Sequence, residues 1–370
     1  MLGGKFYGIL FVCTLLAVLG AGLWPFDFSP QNRVAVLPDR PALRFDGPDS
    51  GQKSATGGVA FTALPLALPP GVRKAGRDLT IEVAVKPDAE PGGSRYVILG
   101  FFDQTNRAQV FLGQWQSYLL VRTRAAEPDT YREIDARGAL QAGMERFITV
   151  SSSVVGTVIY LDGKPAQSYP GLRILPDAAM LSDLRLFLGN SPDGGNPWSG
   201  EIRRVAIYGR AMSAHEVAEG FASWSRGAPE CGGAVACYRF KKPGGERLEN
   251  AAGPNNPLFI PERPAFARNF LSPIQMDDRD FQDILLNVLG FMPLGILWFR
   301  WAVRTFGWSR NKALWTAAAC GVLISLAIET TQGFIPSRDS SQRDVVCNTL
   351  GGLLGAWVAS ASSGSEPEQP

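Results

Sequence analysis

Charged residues vanish from four stretches of the chain: Phe6 to Trp24, Ile284 to Phe299, Ala313 to Ile328 and Val345 to Ala359. An α-helix rises about 1.5 Å per residue, so the first run reaches about 28 Å, close to the hydrocarbon thickness of a bilayer. The other three runs are each slightly short for a span. Crowded together and separated by brief polar loops, they predict a membrane bundle rather than three unrelated core helices. The last and shortest also suits a re-entrant segment. Lys5 precedes the first run, as it would in a cleaved signal peptide, but the length of that run and the Trp24-Pro25-Phe26 exit favour a retained helix. Pro293, with Gly290 and Gly295 beside it, predicts a kink in the second helix. Gly351, Gly352 and Gly355 predict close helix approach in the last.

Between the first run and the others the pattern changes period. From residue 40 to 260 short alternating or β-branched runs are broken by turn signals: Leu79 to Val85, Tyr96 to Phe101, Tyr118 to Arg122, Phe147 to Val150, Thr157 to Leu161, Leu184 to Leu188 and Ile202 to Tyr208. Asp162-Gly163 predicts a two-residue hairpin turn, since both central positions favour φ > 0. Strands at this spacing predict a β-sandwich large enough to hold its own core. The chain is therefore expected to be multi-domain, an α-helical membrane bundle of about four transmembrane helices plus an all-β jelly-roll sandwich. Its expected divisions are 1–30 (first helix and exit), 40–260 (sandwich), 261–282 (a Pro/Arg-rich surface linker), 283–360 (three helices) and 361–370 (a disordered tail).

Composition narrows the chemistry. Lys+Arg total 36 against 34 Asp+Glu, which argues against a nucleic-acid partner, since that would need a basic face. A single histidine nearly excludes Ser/His/Asp catalysis and His-rich metal sites. That residue, His215, lies in Ser213-Ala-His-Glu216, a capping box, and reads as an ordinary surface side chain. The mean hydropathy of +0.01 averages two unlike parts.

Arg300, Arg304, Arg310 and Lys312 crowd the loop between the second and third runs, which places that loop in the cytoplasm by the positive-inside rule. Residues from about 27 to 282 then lie outside, with both termini inside, and Trp298 and Trp301 are expected as interfacial anchors. Cys13, Cys320 and Cys347 fall in apolar runs. Cys231 and Cys237 lie in the polar region, where a disulfide suits an oxidising compartment and two free thiols are the alternative.

Polar residues interrupt the ends of the apolar runs. Asp283 and Asn287 share a helical face, as do Glu329 with Gln332 and Asp344 with Asn348. By the topology above all lie at the outer ends of their helices. Asp at a helix start is explained by capping, but Asn287, Asn348 and Glu329 push polar groups a turn into apolar sequence. A carboxylate near bilayer depth should turn inward to a partner. Arg338 is the nearest in sequence to Glu329 and Arg343 the next. A functional pocket and a structural ion-pair and cap network are both open readings.

Two resemblances follow from these motifs. Phe147 to Val150, Gly156-Thr-Val-Ile-Tyr-Leu-Asp-Gly-Lys164, Leu188-Gly-Asn190 and Trp198 through Ser213 resemble the second half of a concanavalin A-like, laminin-G-type jelly roll. That resemblance implies a carbohydrate-binding module, some relatives of which hold calcium. The corresponding loop here is Asn190, Asp193, Asn196 and Trp198, although Asx residues in a Gly/Pro-rich loop also read as plain turns. Trp115 and Trp198 could stack on a sugar or pack in a core. The second resemblance rests on Asp283-x-x-x-Asn287 with Phe291-Met-Pro-Leu-Gly295, Glu329-x-x-Gln-x-x-x-Pro-x-Arg338 and Asp344-x-x-x-Asn348-Thr-Leu-Gly-Gly-x-x-Gly355. These are similar to the VanZ-like membrane proteins, whose founding member is associated with glycopeptide antibiotic resistance. It implies one four-helix domain with the jelly roll inserted after its first helix.

The expectation is an integral, multi-pass protein of the bacterial inner membrane with an extracytoplasmic sandwich. Its partners would be the lipid bilayer and a glycan, peptidoglycan or lipid-linked saccharide. A pocket for an envelope headgroup, an enzyme using Asp283, Glu329 and Asp344 as acid/base groups with Arg338 on an anion, and a noncatalytic anchor all fit the sequence. No cofactor is evident from it, and calcium in the sandwich is the one metal that the resemblance suggests.

Overall fold

The alternation in the polar segment folds as expected, and the structure, a computed structural model, extends it. It describes residues 3–47, 57–125, 130–228, 230–240, 247–253, 255–268, 270–274, 280–336, 338 and 340–363. After helix α1 (Gly4–Leu23) come strands β1 (Val34–Val36), β2 (Leu43–Phe45) and β3 (Ala60–Thr62), then a short helix α2 (Pro70–Ala75). The hairpin-linked body of the domain is β4 (Leu79–Pro87), β5 (Tyr96–Phe102), β6 (Ala108–Trp115), β7 (Tyr118–Arg124), β8 (Tyr131–Ala136), β9 (Arg146–Ser153), β10 (Gly156–Leu161) and β11 (Lys164–Pro170). It closes with β12 (Arg185–Leu188), β13 (Gly200–Tyr208), helix α3 (Ala214–Ser225), β14 (Ala236–Arg239), β15 (Arg247–Leu248) and β16 (Leu258–Phe259). Helices α4 (Asp280–Phe306), α5 (Arg310–Gln332) and α6 (Gln342–Ser363) follow.

The chain divides into two units, Ser29–Ala267 and a discontinuous one made of Met1–Phe28 with Arg268–Pro370. In the first unit two antiparallel sheets pack face to face. One runs β1-β2-β13-β4-β9-β10-β11, with β14 also on β13, and the other runs β15-β16-β3-β12-β5-β6-β7-β8. Leu79, Ile81, Val83 and Val85 alternate along β4 and meet Leu99, Phe101, Leu112, Leu119 and Val121 of the opposite sheet in one core, as period-2 patterning requires. Asp162 and Gly163 take φ of 50° and 78°, turning β10 into β11. The Asp162 carboxylate also accepts from the Phe147 N–H at 3.0 Å and from Arg146 at 2.6 Å, so it fastens β9 as well as making the turn.

On the far side of the first sheet the off-phase residues of β4 and β13 form a buried ion pair, Glu82 with Arg204 at 3.0 Å. Helix α3 covers it, with Gly220 against Glu82, and burial pushes the Tyr208 hydroxyl beside it up to about 12. The capping box at Ser213 and Glu216 forms, and His215 stands on the solvent side of α3, 3.3 Å from Glu219. Cys231 and Cys237 are joined as a disulfide across a Cα separation of 5.9 Å.

In the second unit α1, α4, α5 and α6 are long and apolar enough to cross a membrane, four such helices among the described residues. The last is a full helix of 22 residues, about 33 Å long, so the re-entrant alternative gives way to a helix of spanning length. α4 continues through Pro293 without a break. Trp298 and Trp301 are half-buried and pack on Phe11 of α1, Trp298 tilted at 5.4 Å and Trp301 stacked at 5.9 Å. α6 reaches Ser363, and the remainder of the expected disordered tail, 364–370, lies outside the described residues. The same holds for 269 and 275–279 of the surface linker.

Candidate functional site

At the end of the bundle where α1 stops and α4 starts, the polar residues picked out by the sequence fall into three groups. The first ties down α1. Gln332 Nε2 donates to the Gly22 carbonyl at 2.8 Å, and Arg338 donates through Nε to Trp24 at 2.8 Å and through Nη2 to Ala21 at 3.1 Å. The last carbonyls of a helix lack intrahelical donors and carry partial negative charge, so a guanidinium fork satisfies them well. Arg338 is therefore a cap for α1: its hydrogen bonds go to that helix, and on Glu329, its expected partner, it acts through its charge.

The second group lies between α5 and α6. Glu329 is 2% exposed, and its Oε2 accepts the backbone N–H of Ser341 at 2.8 Å. One turn deeper, Asn348 Nδ2 donates to Ser325 Oγ at 2.8 Å. Ser325 escaped the sequence reading, although it stands four residues before Glu329 and so shares its face. Asn348 is 4% exposed, and its Oδ1 has no hydrogen-bond partner among the described residues.

The third group lies between α4 and α6. Asp283 and Asn287 face Asp344, whose carboxylate interacts with both and lies 3.5 Å from Arg343 Nε. Asp283 itself is exposed, the fourth residue of α4, where a carboxylate complements the helix dipole. The segment before α4 closes over this end: Ser272 N–H donates to Ser340 O at 2.8 Å, and Gln342 N–H donates to Ser272 O at 3.1 Å. Phe270 packs on Phe334 with ring centroids 5.2 Å apart.

Deeper in the bundle a small cavity is bordered by Phe11, Phe291, Trp298, Cys320 and Ile324, with Gly295, Gly321 and Gly352. It is apolar, and none of the polar set lines it.

In the sandwich the loop singled out for glycan or calcium is bound up in its own structure. Trp198 is fully buried and donates its indole N–H to Gln114 Oε1 at 2.6 Å, so it is a core residue and presents no face to a sugar. Asn190 Oδ1 accepts from the N–H groups of Ser191 and Asn196, and Asp193 accepts from Ser191 Oγ and the Gly195 N–H. Asn196 Nδ2 donates to Arg95 O. The Asp193 to Gly195 bond is that of an Asx turn, and the others tie the loop to itself and to Arg95. Of the two tryptophans, only Trp115 is exposed.

Residues 237–362 match the VanZ/LLP1 family, and residues 60–218 match the concanavalin A-like lectin/glucanases superfamily. The chain thus combines a VanZ-like helical region with a concanavalin A-like domain lodged between α1 and α4. Neither match includes α1, which belongs to the same unit as α4, α5 and α6. No curated protein matches. Among solved structures, a putative carbohydrate binding protein from Bacteroides ovatus ATCC 8483 is 13% identical, covering 60% of this chain and 62% of that one, with a TM-score of 0.39. A heptameric SAP-like pentraxin from Limulus polyphemus is 14% identical over 60% and 97%, with a TM-score of 0.39. The binding domain of botulinum neurotoxin DC, in complex with rat synaptotagmin II, is 14% identical over 53% and 46%, with a TM-score of 0.38. This chain therefore spans less than two thirds of the Bacteroides ovatus protein and of the neurotoxin domain.

Proposed function

We propose that this is a multi-pass envelope protein whose sandwich lies outside the cytoplasmic membrane and binds glycan. The polar end of its helical bundle would engage the headgroup of an envelope lipid or polymer. The observation that carries the headgroup reading is Asn348, buried between α5 and α6 with Oδ1 unpartnered among the described residues and bonded to Ser325, one turn from Glu329. A buried amide oxygen without a donor costs about 1–3 kcal/mol, and inside a membrane bundle such a group is retained where it meets a ligand or water. The hydrogen bonds of Arg338 go to α1, while Glu329 and Asp344, the latter beside Arg343, offer carboxylates, which favours a hydrogen-bond-donating headgroup over capture of a phosphate by Arg338. For the sidedness, Arg300, Arg304, Arg310 and Lys312 at the opposite end of the bundle support a cytoplasmic α4–α5 loop.

Asn348→Ala, Glu329→Gln and Asp344→Asn, each scored for membrane abundance and for sensitivity to envelope stress, test the pocket. Normal abundance with lost resistance to that stress is the expected result. Unchanged resistance at normal abundance in all three would discard the headgroup site. Alkaline phosphatase fusions at residues 230 and 307 test the topology, and activity at 307 would reverse it.

A further inference from the structure

The second sheet has one face in the core and one turned outward, and the outward face carries side chains that packing does not demand. Along β7 Tyr118, Leu120, Arg122 and Arg124 alternate with the core residues Leu119 and Val121, so all four share the outer face. Tyr131, Glu133 and Asp135 of β8 flank them in register, with Arg122 opposite Glu133 and Arg124 opposite Tyr131. Trp115 ends β6 directly opposite Tyr118, their ring centroids 5.3 Å apart.

Arginines sit on these rings. The Arg137 guanidinium lies 5.3 Å from the centre of Tyr118, and that of Arg122 lies 4.0 Å from the centre of Tyr131. Glu133 pairs with Arg95 at 3.1 Å and, more loosely, with Arg122 Nε at 4.0 Å, which leaves the Arg122 terminal N–H groups as its gripping edge. Trp115 is 38% exposed and Tyr131 37%, large apolar surface left open to water on a strand face. The distance from Tyr118 to Arg124 along β7 is about 20 Å at the usual rise per residue. Four arginines, Arg95, Arg122, Arg124 and Arg137, stand against Glu133 and Asp135, so the strip is positive on a chain that is otherwise nearly neutral.

A guanidinium stacked on an aromatic ring still presents its N–H edge, the geometry that grips a carboxylate. A flat aromatic face accepts the C–H side of a sugar ring at low conformational cost, because Trp and Tyr have few rotatable bonds. We infer that the Trp115–Tyr118–Arg122–Tyr131 strip binds a carboxylated polysaccharide, an acidic glycan lying along β7 with its rings on the aromatic side chains and its carboxylates on the arginines. This rests on the glycan-binding reading of the sandwich and gives it a ligand class and a place.

The test is calorimetric titration of the detergent-solubilised full-length protein with oligogalacturonate and with maltooligosaccharide of equal length, comparing wild type with Trp115→Ala, Arg122→Gln and Arg137→Gln. Trp115 and Arg137 are exposed and Arg122 is half-buried, and unchanged thermal unfolding confirms that each variant is folded. The expected result is oligogalacturonate binding that weakens with added salt and falls at least tenfold in Trp115→Ala and Arg122→Gln. Binding of the neutral oligosaccharide alone, or acidic binding indifferent to these substitutions, overturns the strip while leaving a glycan-binding sandwich. Binding of neither sugar removes the glycan reading together with it.

Discussion

Replacing Gly355 by alanine should loosen the membrane bundle, and the size of the effect follows from the α4–α6 seam. A Cβ at Gly355 would stand 2.0 Å from the Met292 carbonyl oxygen, one at Gly351 2.2 Å from that of Val288, and one at Gly295 1.8 Å from that of Gly352. An ordinary contact needs about 3.4 Å, so alanine at 355 requires the helices to part by about 1.4 Å. The obstacle is backbone, which no rotamer change can move aside. Overpacking of this kind costs about 1–3 kcal/mol, and the rigid obstacle puts Gly355→Ala near the upper figure. Gly290, on the same α4, has nothing within 4 Å of its would-be Cβ. Alanine there should be neutral or stabilising by up to about 1 kcal/mol, since glycine is a poor helix residue. The two substitutions are compared by thermal unfolding of the detergent-solubilised protein, followed by size-exclusion fluorescence, and by accumulation in the membrane. Equal behaviour of Gly355→Ala and Gly290→Ala would refute the interlocked seam.

Three further outcomes are expected. Arg338→Ala should free the end of α1, costing about 0.5–1.5 kcal/mol because the carbonyls it leaves are exposed, and Arg338→Lys should recover only part because an ammonium lacks the fork; thermal unfolding and protease sensitivity near Trp24 would check this. Gln114→Leu should destabilise the sandwich by about 1–3 kcal/mol by orphaning the buried Trp198 N–H, and an unchanged unfolding midpoint would contradict that bond. Hydrogen bonds from Arg40, then Arg203, hold the Glu201 carboxyl down at about 2. A lowered folded value gives stability that is complete above the unfolded value near 4.5 and is lost as pH falls towards 2. With screening at the partly exposed arginines this is worth about 1–2 kcal/mol, so Glu201→Gln should flatten the acid limb of sandwich unfolding between about pH 4.5 and 2.

Much of this was legible in one dimension because burial imposes a period. Four charge-free runs could become only helices in a bilayer, where every backbone group must be satisfied within its own segment. The alternation from Leu79 to Tyr208 could only place one set of side chains in a core. Among the strands missed by pattern, β6, β8 and β11 are those whose polar or glycine residues blur the alternation, while β1, β2, β3, β15 and β16, of two or three residues each, are too short to show one. Asp162-Gly163 declared its turn because few other pairs tolerate two positive φ angles. The glycines of α6 announced close packing, yet only the folded seam decided that Gly351 and Gly355 touch carbonyls of α4 while Gly352 supplies one.

Side-chain partnership was another matter. Arg338 lies nine residues from Glu329 in sequence and bonds instead to α1, more than 300 residues away. Trp198, a plausible sugar platform by composition, is sealed in the core by Gln114, whereas Trp115 stands exposed beside Tyr118. Periodicity is local and survives in the sequence. A hydrogen bond or a ring contact depends on which distant segments the fold brings within a few ångströms, and only the tertiary structure decides that.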